Sequence, residues 1–139
     1  MIIDGEGLLL GRLCSRAAKA ALLGEEVKII NCEKIIISGK KKQVFANEKE
    51  RRERKGYPLK SAKFSKLPDR YVKRTVRGML PHKKGRGQEA FDRIRCHIGV
   101  PEEIDSSKAE KIEGAEASKL PSMKYVTVEE ICNWLKGMK

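Results

Sequence analysis

Between Leu10 and Ala21 the apolar residues Leu10, Leu13, Cys14, Ala17, Ala18 and Ala21 share one side of a 3.6-residue repeat, and Arg12, Ser15, Arg16 and Lys19 share the other. This spacing predicts an amphipathic helix that Gly24 stops. A short apolar run precedes it, and VKIIN (27 to 31) and KIIISG (34 to 39) follow, each reading as a strand. Strand, helix, strand in that order predicts a β-α-β unit with a parallel sheet and a right-handed crossover.

From Lys40 the pattern changes. KKKQVFANEKERRERKG contains a single apolar cluster, Val44 to Ala46, so a helix there would face solvent or a partner more than a core. GYPLKSAKFSKLP (56 to 68) carries turn residues at both ends and reads as an extended loop. In PDRYVKRTVRGML (68 to 80), Val72, Thr75, Val76 and Met79 repeat at i, i+3, i+4, i+7, and Arg70, Lys73, Arg74 and Arg77 repeat identically two residues earlier. Two residues are about 200° of helix, so the stripes lie on opposite faces. Pro68 suits the first turn and Pro81 ends the helix. HKKGRG (82 to 87) then reads as a basic glycine loop, GQEAFDRIR as a short helix, and RIRCHIG as a half-buried strand with Ile94, Cys96 and Ile98 inward. Residues 102 to 123 are polar and aperiodic, a loop with short helical pieces. Thr127 and Glu130 form a capping box for a last helix at about 128 to 137, with Val128, Ile131, Cys132 and Leu135 on its apolar stripe and Trp134 beside it.

A chain of 139 residues with aromatics at 5% predicts one domain, 1 to 139, with a modest aliphatic core. No run is long enough to span a membrane, and the first residues lack the order of a signal peptide, so a cytoplasmic protein is expected. Cys14, Cys32, Cys96 and Cys132 contain no C-x-x-C pair, which predicts buried free thiols and no metal site. The net charge of +12 is unevenly placed. Residues 40 to 86 hold 18 of the 31 Lys and Arg and four of the 19 acids, a net of +14. One third of the chain thus carries more than the whole excess, the footprint of a polyanion binder.

Two further chemistries are weighed against that footprint. Residues 5 to 11 read G-x-G-x-x-x-G before a helix, a pattern that could cradle a phosphate, with Glu33 near the position of a ribose-binding acid. Asp4 and Glu6 flank that loop, no cation precedes Arg12, and the spacing misses the stricter form, so a tight structural turn is expected. The rival reading is a small RNA-modifying enzyme with a nucleotide cofactor. A catalytic pair at Cys96 and His97 fails because neighbours on a strand point to opposite faces. The acids at 102 to 116 read as a solvated surface. Among polyanions, RNA fits better than DNA: no helix-turn-helix or finger spacing occurs, and no strand carries paired stacking aromatics.

VRGMLP (76 to 81), HKKGRGQEAFDRIR and GVP (99 to 101) together resemble the signature of the universal large-subunit ribosomal protein L-thirteen family. IIDGEGLLLGRLCSRAAK and VKIINCEKIIISGKK are similar to that family's opening, so the resemblance covers about residues 2 to 101. The form of the basic loop and the short C-terminus resemble archaeal members. Cys96 and His97 stand where the family pattern has an apolar and an aromatic residue. The resemblance implies a three-layer α/β/α fold around a mostly parallel four-stranded sheet, with a basic helix-loop segment at about 40 to 87. It further implies binding of large-subunit rRNA during assembly, neighbouring ribosomal proteins as partners, and neither enzyme activity, cofactor nor small-molecule substrate. By motif position the phosphate ligands are Arg70, Lys73, Arg74 and Arg77, then Lys83, Lys84 and Arg86. Lys40, Lys41, Lys42, Arg51, Arg52, Arg54 and Lys55 form a second group, and Gly78, Pro81, Gly85 and Gly87 shape the loop.

Overall fold

Three short strands, β1 (Ile2–Asp4), β2 (Val27–Ile30) and β4 (Ile94–Cys96), lie parallel in the order β1-β2-β4. The computed structural model describes residues 1 to 54 and 65 to 137. Ile3, Ile29 and Cys96 are cross-strand partners, and Ile3, Val27, Ile29 and Ile94 are fully buried on one face. Onto that face pack α1 (Leu10–Leu22), α3 (Pro68–Met79) and α4 (Gly85–Asp92), through Leu13, Ala17, Val72, Val76 and Ala90. The predicted stripe of α1 is buried throughout, its polar residues are exposed, and Gly24 ends it at φ +102°.

The expected four-stranded sheet is divided. The run KIIISG forms β3 (Ile36–Ser38), which pairs antiparallel with β5 (Tyr125–Thr127), a strand the sequence pattern did not reveal. The division begins at Asn31, whose left-handed conformation (φ 53°) and the 3-10 turn Cys32–Lys34 carry the chain out of the parallel sheet. Beside β1, the fourth parallel position holds a single bridge between Ile3 and Glu110. The polar segment there lacks the alternation that would extend it. Helices α2 (Lys41–Glu53) and α5 (Val128–Gly137) pack around the two-stranded sheet in a second cluster of Val44, Val126, Ile131 and Leu135. The layers therefore differ from the expected sandwich: helices cover one face of the parallel sheet and pack on the separate two-stranded sheet.

Three other expectations need correction. The strand from Arg93 stops at Cys96, because Gly99 turns the chain at φ +65°, and Ile98 is 52% exposed instead of inward. The stripe of α3 is narrower than its periodicity: Val72 and Val76 are fully buried, Thr75 is half-buried, and Met79 is exposed beside Ser15 at the helix edge. The loop expected over 56 to 68 falls mostly outside the described residues, and its last residue, Pro68, opens α3. The cap of α5 forms by half. The Glu130 amide donates to Thr127 Oγ1 at 3.2 Å, while the Glu130 carboxylate turns to Lys41 at 3.3 Å.

The polar segment after residue 101 contains two 3-10 turns, Ser106–Lys108 and Ala117–Lys119, and it is anchored. Glu110 exchanges backbone hydrogen bonds with the β1 edge, Leu9 donates to the Ala115 carbonyl at 2.7 Å, and Ala117 donates to the Gly7 carbonyl at 3.0 Å. Arg12 donates to the Gly114 carbonyl. The segment is a strap over the GEGLLLG turn.

Candidate nucleic-acid interface

The glycine turn was the rival site, and its hydrogen bonds decide what it can hold. Gly5 donates to the Ile30 carbonyl, Glu6 to Asp4 Oδ1, Gly7 to the Lys34 carbonyl, Leu8 to the Gly5 carbonyl and Leu9 to the Ala115 carbonyl. The amides of residues 5 to 9 are thus engaged within the protein. Asp4 also accepts from Asn31 at 2.8 Å, and Glu6 pairs with Lys34 at 2.9 Å, which raises the pKa of the Lys34 ammonium. The glycines serve the fold. A Cβ on Gly5 would lie 2.7 Å from Ile35 and 2.9 Å from the Ile30 carbonyl, and Gly7 sits at φ +71°. Gly11, by contrast, is an exposed first-turn residue of α1 with open space around it.

The basic face of α3 is built as its spacing requires. Val72 and Val76 are fully buried against the sheet. On the other side, Arg70, Lys73, Arg74 and Arg77 line one groove with Phe91 of α4. Arg70 and Arg77 are exposed, and the Lys73 ammonium lies 4.7 Å from the Phe91 ring centre, a cation-π contact that fixes the side chain while leaving its charge at the surface. Arg70 and Arg77 have no hydrogen bond or ion pair among the described residues. Their charge is available to a partner.

The HKKGRG loop is shorter than its sequence suggests. Gly85, Arg86 and Gly87 already form the first turn of α4, and only Leu80 to Lys84 connect the helices. Lys83, Lys84 and Arg86 are exposed and unpaired among the described residues. Of the expected loop-shaping residues, Gly87 is the one geometry demands: a Cβ there would lie 2.1 Å from the Pro81 carbonyl oxygen. Gly78 lies within α3 and Gly85 in α4, both with open space, so neither shapes the loop. Arg86 also shares a groove with Lys19 and Met79. That links Lys19 on the polar face of α1 to the basic surface, and exposed Lys19 was the signal for it.

The second basic group is largely committed to the fold. Arg51 pairs with buried Glu48 at 3.2 Å, Arg54 with Glu50 at 2.7 Å, and Arg52 donates to the Leu135 carbonyl at 3.0 Å. Glu48 also accepts from the Tyr71 hydroxyl at 2.9 Å, tying α2 to α3 and, together with burial, pushing the Tyr71 pKa up. Lys41 pairs with Glu130 and lies 5.6 Å from the Phe45 ring centre. Lys40 and Lys42 are exposed, and Lys55 lies outside the described residues.

The four cysteines are free, three of them buried, and the fourth, Cys96, is half-exposed. Though scattered in sequence, three converge. Burial and then neighbouring Cys96 push the Cys14 thiol up to about 12, and nearby Cys96 together with burial raises that of Cys32, whose thiol donates to the Ile29 carbonyl at 3.7 Å. No group of metal-ligating side chains occurs among the described residues, and no described helix is long and apolar enough to cross a membrane.

The family model described as ribosomal protein L13 matches residues 1–103. Large ribosomal subunit protein uL13 of Archaeoglobus fulgidus is 45% identical over 135 residues, covering 96% of this chain and 86% of that protein. The same-named protein of Methanococcoides burtonii is 42% identical over 134 residues, 96% of each chain. That of Methanocaldococcus jannaschii is 40% identical over 137 residues, again 96% of each. With a family match across the sheet, α1 and the whole basic segment, and relatives aligned nearly end to end, this chain belongs to the ribosomal protein L13 family.

Proposed function

We propose that the protein is a structural constituent of the large ribosomal subunit in the cytoplasm, where it holds folded rRNA through backbone phosphates and supports subunit assembly. The observation that carries this reading is α3, whose valines are buried in the core while its cations line a surface groove. Arg70, Lys73, Arg74 and Arg77 form the main contact. Lys83, Lys84 and Arg86 extend it at the start of α4, and exposed Lys40 and Lys42 are its outliers at the start of α2. Arginine forks and lysine charges on rigid helices suit a partner recognised by shape and phosphate, without base reading. The chain acts as one domain, 1 to 139, with neighbouring subunit proteins as further partners.

The test is binding to large-subunit rRNA across a tenfold range of salt. Each neutralised phosphate contributes about 0.7 to 0.9 to the log-log slope, so seven contacts give a slope of roughly 5 to 6. A slope near zero would refute phosphate binding.

A further inference from the structure

The parallel sheet has a second face. Alternation places Ile2 and Asp4 of β1, Lys28 and Ile30 of β2, and Arg95 of β4 on it, and none of these belongs to the cluster packed under α1, α3 and α4. Its two ends differ. At the carboxyl end Ile30 is buried, and the chain passes from the β4 edge to the β1 edge between Cys96 and Glu110, with Ile104 buried on the way. At the amino end Ile2 and Lys28 are half-exposed and Arg95 is exposed.

Lys28 and Arg95 are direct cross-strand partners. Adjacent strands lie about 4.8 Å apart, so two cations stand side by side, an arrangement that destabilises a sheet unless an anion joins them. No such anion comes from the described residues. Neither side chain has a hydrogen bond or ion pair among the described residues, and Asp4, the acid on this face, accepts from Asn31 and the Glu6 amide. A parallel sheet left open over the amino half of one face is itself unusual, because such sheets are normally covered on both. The cover this face suits is anionic.

We infer that the open face of the sheet, through Lys28 and Arg95, grips the backbone of a second RNA segment, so that the protein clamps two stretches of rRNA from opposite sides. The inference rests on the phosphate-binding reading of α3. That helix packs on the other face and aims its cations away from it, so about 20 Å of sheet and helix separates the two surfaces. One phosphate track cannot run straight through that thickness. Binding then joins distant parts of the fold instead of coating one.

The test uses the full chain and protein-free large-subunit rRNA, with ribose footprinting and the salt slope as readouts. The wild type should protect two separate sets of nucleotides. Lys28→Gln with Arg95→Gln should erase one set, keep the set that depends on α3, and lower the slope by about 1.4 to 1.8, two phosphates' worth. The charge-preserving pair Lys28→Arg with Arg95→Lys should retain both sets, which separates lost charge from lost folding. An unchanged footprint and slope for the Gln pair overturns the inference, as does loss of the same nucleotides that an α3 variant loses. Dependence on the pair that emerges only when other subunit proteins are added assigns the face to a protein and also overturns it. If removing the α3 cations changes nothing while the Gln pair still erases its set, the α3 reading fails and the sheet face stands.

Discussion

At Gly87 a missing side chain decides a local structure. The Pro81 carbonyl fills the space a Cβ would need, so Gly87→Ala should shift α4 against the connection and cost about 1 to 3 kcal/mol in chemical denaturation. Gly11→Ala should do the opposite. Its surroundings are open and it lies in a helix, so alanine should leave stability unchanged or raise it by up to about 1 kcal/mol. The thiols make a second test at this scale. Burial holds Cys14 at about 12 and Cys132 at about 11, against an unfolded value near 9. The folded state keeps these protons while the unfolded chain releases them, so their contribution is whole below pH 9 and is lost as pH rises toward 11 to 12. Denaturation midpoints should fall across that window, and replacing Cys14 with Ser should shallow the fall. A midpoint flat from pH 9 to 11 would contradict the burial.

Helix α3 buries valines on one side and presents cations on the other, and its two faces can be separated by mutation. Replacing Arg70, Lys73, Arg74 and Arg77 with Gln removes four cations but keeps good helix formers, so circular dichroism should show a folded protein. Its salt slope for rRNA should drop by up to about 3 to 4. Val76→Asp should unfold the protein first, since that side chain is fully buried and a carboxylate there has no partner. Unchanged affinity and salt slope in the folded Gln variant would move the contact elsewhere. Helix α2 supplies the contrast. Arg51, Arg52 and Arg54 hold Glu48, the Leu135 carbonyl and Glu50, so the same change there should lower stability more and the slope less.

For the whole molecule, the strap from Glu110 to Ala117 takes up backbone groups of the glycine turn that a nucleotide would otherwise approach. It supplies acceptors to the Asp4 and Leu9 amides and sits over the glycine turn. Addition of NAD or ATP should therefore leave the melting temperature in place. A ligand at a hundred times its dissociation constant would add about 2.7 kcal/mol, a shift well within reach of a thermal melt. An upward shift with either compound would reopen the enzyme reading.

Local periodicity was enough to read α1, α3 and α5, because an amphipathic repeat records which side of a helix meets the core. The charge imbalance over residues 40 to 86 and the opposed stripes of α3 marked the basic surface by the same logic. What the chain does between elements was not local. KIIISG reads as a strand in any sheet, and only the left-handed Asn31 and the arrival of Tyr125–Thr127 made it antiparallel and separate. Lysines and arginines in α2 resemble those in α3 in sequence. Their partners Glu48, Glu50 and the Leu135 carbonyl, which set them apart, include one that is brought close only by folding. Lys28 and Arg95 lie far apart in the chain and became neighbours through strand register. Sequence recorded burial and charge along each element. Pairing between elements, which decides whether a charge is spent on the fold or left free at the surface, belongs to tertiary structure.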